Sequence, residues 1–70
     1  MDTTLTWDDS YAIALLLMER HPEVLLEDVS LGMIYHWTTG LPEFRDDPEL
    51  ANDVILSAIY QAWLEEVNPI

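Results

Sequence analysis

"FRDDPELANDVILSAIYQAWLEE", from Phe44 to Glu66, is the stretch that decides the fold. In its second half Ile55, Ile59 and Trp63 recur at i, i+4 and i+8, flanked by Leu56, Ala62 and Leu64, which is the period of an amphipathic helix. The first half supplies a start for that helix. Asp46 or Asp47 can cap it, Pro48 can take the first helical position where its missing N–H costs nothing, and Glu49 sits near the positive end of the dipole. The same acids admit two other readings, as ligands for a hard cation and as a docking surface.

Upstream, a first helix is expected after "WDDS", with Asp8 as N-cap and Asp9 as a first-turn acid. Ile13, Leu16, Leu17 and Arg20 lie at helical spacing, and "HPE" at His21 to Glu23 stops the helix, because the residue before a proline avoids the helical region. Tyr11, Leu15 and Met18 form a second apolar face. That face is either covered inside the monomer by the following "EVLLEDV" connection or offered to another protein. The connection has no clean period and fits one helical turn or a short extended piece. A second helix is expected from about Ser30 to Gly32 onwards, with Ile34, Trp37 and Leu41 on one side and Gly40 as terminator. The pattern predicts an all-α domain of three main helices, a single unit over residues 1–70.

The length of 70 residues allows one domain. A chain this short buries only roughly 60% of its unfolded surface, so the three tryptophans, three tyrosines and one phenylalanine matter to the core. Trp7, Trp37, Phe44 and Trp63 are assigned to stability. The chain has no cysteine, which excludes disulfides, thiolate nucleophiles and thiolate metal sites and is consistent with a reducing cytoplasm. Fourteen acids against two arginines give a net charge of −12, which repels phosphate backbones and anionic lipids and attracts basic protein surfaces. No nucleic-acid or membrane partner is therefore expected. The uncharged run Ser10 to Met18 is too short to span a bilayer, and acids rather than basic residues precede it, unlike a signal peptide.

Catalysis has no support in the sequence. There is no lysine, no glycine-rich phosphate loop, and His21 and His36 have no recognisable partner spacing. Hard divalent cations take several oxygen ligands, and Glu43, Asp46, Asp47 and Glu49 are close in sequence, although the glycine of a calcium loop is missing. Capping already explains Asp47 and Glu49 better than it explains Glu43 and Asp46.

Trp7-x-Asp9-Ser10, Ile13, Leu17, Pro22, Val29, Trp37, Leu41, Phe44, "DDP" at Asp46 to Pro48, Asn52, "ILSAI" at Ile55 to Ile59 and "WLEE" at Trp63 to Glu66 together resemble the IscX family of small acidic iron–sulfur cluster assembly proteins. The resemblance runs without a gap from about Leu5 to Glu66. It implies a compact helical domain with a winged-helix-like arrangement and a non-enzymatic role as adaptor or regulator. The implied partner is a cysteine desulfurase of the IscS type, bound in the cytoplasm through acidic surface. On that basis Glu43, Asp46 and Asp47, supported by Asp53, Glu65 and Glu66, are the expected docking set. The alternative is a sensor or donor that binds ferrous iron weakly through Glu43, Asp46, Asp47 and Glu49, with no cofactor required.

The chain departs from the family pattern at Ala12, Leu15, Met33, Gly40 and Ser57, where relatives usually carry acids, and at Arg45, which interrupts the acidic triplet before Pro48. Fewer iron ligands are available as a result. The Tyr11, Leu15 and Met18 face, apolar where relatives are polar, is a candidate for self-association or an altered partner contact.

Overall fold

The computed structural model describes residues 4–68; residues 1–3 and 69–70 of the expected domain lie outside them. Three helices, α1 (Ser10–Arg20), α2 (Leu31–Thr39) and α3 (Asp53–Val67), are joined by connections that each contain one 3₁₀ turn, Leu26–Asp28 and Pro48–Leu50. The all-α, three-helix expectation holds. It does not extend to a wing, since the described residues form no strand. The only β pairing among them is a single parallel bridge in which Leu5 N–H donates to the Glu43 carbonyl and Arg45 N–H to the Leu5 carbonyl, both at 2.9 Å. No described helix is long and apolar enough to cross a membrane.

α1 begins one residue later than expected. Asp9, not Asp8, stands at the N-cap, and its carboxylate faces backwards, accepting from the Thr6 N–H at 2.9 Å and the Thr6 hydroxyl at 3.3 Å. This side chain closes the turn that delivers Trp7 to the core instead of capping the helix. The helix ends at Arg20, where His21 precedes Pro22. Ile13, Ala14 and Leu17 are fully buried, while Leu16 and Met18 are half-buried at the edge of the core.

α2 starts where expected, with the Ser30 hydroxyl accepting from Met33 N–H at 3.1 Å. Its buried residues are Ile34 and Thr38; Leu41 is buried just past the end, and Trp37 is half-buried with its ring stacked on His21 at 4.0 Å. Gly40 does cap the helix, but at φ −85° it is right-handed. Termination comes from Leu41 preceding Pro42, which excludes Leu41 from the helix.

The start of α3 corrects the sequence reading. Asp47 and Pro48 do not open the long helix. They open the separate 3₁₀ turn Pro48–Leu50, after which Ala51 and Asn52 are extended and α3 begins at Asp53. Asn52 is the cap, its side-chain oxygen accepting from Ile55 N–H at 2.9 Å. Leu50 is exposed, so no burial is gained by carrying the helix back through it. The buried stripe is correspondingly Leu56, Ile59 and Trp63, with Ile55 half-buried beside it.

α3 packs most extensively along α1 and then against α2, placing Ile13, Leu17, Ile34 and Ile59 at the fully buried centre. Trp7 and Phe44 close one side of this core, their rings edge to face with centroids 4.6 Å apart. The radius of gyration, 11.3 Å, matches the value of about 11 Å for a folded chain of this length, and the buried apolar side chains among the described residues form one cluster.

Candidate functional site

The acidic segment after Leu41 is fixed by the N-terminal loop. The Trp7 backbone N–H donates to the Asp46 carboxylate at 3.0 Å, and its indole N–H donates to the Asp47 carbonyl at 2.8 Å. The other Asp46 oxygen accepts from Asp47 N–H at 2.7 Å, and the Asp47 carboxylate accepts from Glu49 N–H at 2.9 Å. One tryptophan thus pins the loop twice, and two aspartates tie it to itself. Each carboxylate is held by neutral amides, so the negative charge is oriented but not cancelled. Sequence reading offered Asp46 or Asp47 as cap of the long helix; Asp47 caps only the 3₁₀ turn, and the bond of Asp46 to Trp7, 39 residues away in the chain, was missed.

Glu43 is in a different state. Its Oε2 accepts from the Arg20 guanidinium at 2.9 Å, the one ion pair among the described residues, and its Oε1 is buried without a partner. Arg20 therefore removes most of the outward field of Glu43. Arg45 is exposed and forms no ion pair among the described residues.

Asp53 is exposed in the first turn of α3, where the helix dipole favours an acid. Glu65 and Glu66 are exposed near the opposite end. At about 1.5 Å per residue, Asp53 and Glu66 stand roughly 20 Å apart along the helix. The expected docking set therefore reaches from one end of α3 to the other. Glu66 accepts from the Tyr11 hydroxyl at 3.3 Å, linking the first turn of α1 to the last turn of α3. The negative charge of Glu66, then this hydrogen bond, and least of all burial, raise the Tyr11 pKa above its ordinary value.

No three histidine, aspartate or glutamate side chains among the described residues come together in a way that could hold a metal ion. Glu43, Asp46, Asp47 and Glu49 are neighbours in sequence but not a ligand cage. Arg20 takes the first, and backbone amides take the next two.

Of the apolar face on α1, Tyr11 is 56% exposed and Leu15 37%, while Met18 packs against the core. The "EVLLEDV" connection does not cover it. That segment lies instead against α3, where the Tyr60 hydroxyl donates to the Leu26 carbonyl at 3.2 Å. Two exposed side chains are far less than the roughly 800 Å² per partner of a standard stable interface.

Fold and surface define a small helical domain whose exposed charge is almost entirely carboxylate. A family model described as iron–sulphur cluster assembly matches residues 5–68, and the chain belongs to that family, the IscX family. It is 41% identical over 63 residues to an uncharacterised protein of Pseudomonas aeruginosa, an alignment that covers 90% of this chain and 96% of the relative. The family places the protein in iron–sulfur cluster assembly.

Proposed function

We propose that the chain is a non-enzymatic adaptor or regulator of cluster assembly that docks on a cysteine desulfurase in the cytoplasm through its exposed carboxylates. Membership in the assembly family supports the process. The observation that carries the docking mode is the charge balance: a net −12 in which the one described ion pair leaves nearly all the acids uncompensated. Complementary charge of this kind speeds encounter and orients the partner more than it adds contact energy.

The acids divide by duty. Asp46 and Asp47 hold their loop while presenting charge, and Glu43 is largely neutralised. Asp53, Glu65 and Glu66 are exposed with no cationic partner among the described residues, Glu66 accepting only from the neutral Tyr11 hydroxyl and Glu65 from Gln61. Ferrous-iron binding by the loop is the weaker reading, because its carboxylates are already committed to amides and Arg20.

The test is co-purification of a cysteine desulfurase with this chain, compared with a variant carrying Asp53→Asn, Glu65→Gln and Glu66→Gln. Docking predicts at least about a tenfold loss of affinity, or ~1.4 kcal/mol, with an essentially unchanged melting temperature. Equal binding by the folded variant would remove these three residues from the docking set.

A further inference from the structure

Where the connection between α1 and α2 passes over the second half of α3, it leaves a groove of about 450 Å³. Tyr60, Trp63, Leu64 and Val67 of α3 line it together with Leu25 and Leu26 of the connection. The hydroxyl of Tyr60 ties the connection to α3 at the Leu26 carbonyl, so the tie fixes one point and Leu25 stands away from the core. Leu25 is 60% exposed and Val67 47% exposed, whereas Trp63 is nearly fully buried. The volume is enough for one or two apolar side chains.

Charge selects the occupant. Among the described residues Glu27 is the one charged residue on the groove, and no lysine, arginine or histidine borders it. A second copy of this chain would bring −12 against −12. We propose that the groove takes an apolar side chain from a segment of a partner protein in which lysine or arginine flanks that side chain. The apolar anchor buries Leu25 and Val67, and the flanking cations meet Glu27 and the surrounding negative field. This goes beyond desulfurase docking and stands without it, because it rests on the groove, Glu27 and the net charge of the chain.

The test is a titration of the full ¹⁵N-labelled chain with a short amphipathic lysine/leucine peptide, alongside a version in which glutamine replaces every lysine. Groove binding predicts shifts concentrated at the amides of Leu25, Leu64 and Val67 and at the Trp63 indole, with the glutamine peptide at least about tenfold weaker, ~1.4 kcal/mol. Leu25→Ser and Val67→Ser, both at exposed positions, are each expected to weaken the lysine peptide about tenfold (~1.4 kcal/mol). Shifts confined to Asp46, Asp47 and Asp53 would reduce the effect to general charge attraction and overturn the proposal. So would equal binding of the glutamine peptide, or a dimer of the free protein that Leu25→Ser dissolves, which would make a second copy the occupant.

Discussion

Replacing Asp46 by alanine removes two hydrogen bonds from backbone amides to one carboxylate, at 3.0 Å from Trp7 and 2.7 Å from Asp47. The Asp47 amide is exposed and water can replace its partner, so its loss costs about 0.5 kcal/mol. The Trp7 amide belongs to a residue only 5% exposed, and leaving it unsatisfied costs about 1–3 kcal/mol. Together the substitution should destabilise the domain by about 2 kcal/mol, a large share of the roughly 3.5–10 kcal/mol available to a chain of this size. In a urea melt followed by tryptophan fluorescence, with a slope of about 1 kcal/mol/M, the midpoint should fall by about 2 M. Asp46→Asn retains one acceptor oxygen and should lose about half as much. Asp53→Asn removes the same charge from an exposed position and should stay within about 1 kcal/mol of the parent. If Asp46→Ala melted with Asp53→Asn, the carboxylate would not be holding Trp7, and the structural role given to this acid would be wrong.

Asn52→Ala should cost about 1 kcal/mol in the same melt and fray the first turn of α3, whereas Asp47→Ala should leave that turn's amide protection intact; the reverse pattern would restore Asp47 as the helix cap. In an alkaline absorbance titration, Tyr11 should ionise above the ordinary tyrosine value near 10, and Glu66→Gln should bring it back down. Because the raised pKa favours the neutral phenol in the folded state, the associated stability is present below pH ~10 and is lost as pH rises through the shifted value. A Tyr11 titration unmoved by Glu66→Gln would break the assigned contact. Sedimentation at low salt should give a monomer whose mass Leu15→Glu does not alter; a dimer abolished by that change would identify the α1 face as a self-association surface.

The parts legible in the sequence were those punctuated locally. His21-Pro22 ends α1, Ser30 caps α2, and the apolar period of residues 55–63 marks α3. The start of α3 was misplaced at Asp46 or Asp47, and Asn52, the residue that caps it, went unread; two cap residues, Asp47 and Asn52, stand within a few residues of each other. Only the exposure of Leu50 shows that nothing draws the helix back to the first of them. The acidic character of the surface was plain from composition, but its division was not. The engagement of Asp46 with Trp7 and of Glu43 with Arg20 depends on long-range placement. The groove over Trp63 was invisible for the same reason: "EVLLEDV" has no period of its own, and its seat on α3 is set by the Tyr60 contact.

The most direct measurement is the affinity of the purified chain for a purified cysteine desulfurase, by calorimetry, across a salt series from about 50 to 300 mM. Docking through unpaired carboxylates predicts binding at low salt that weakens steeply over this range, as the Debye length shrinks below about 10 Å. Absent binding, or an affinity indifferent to salt, would contradict it.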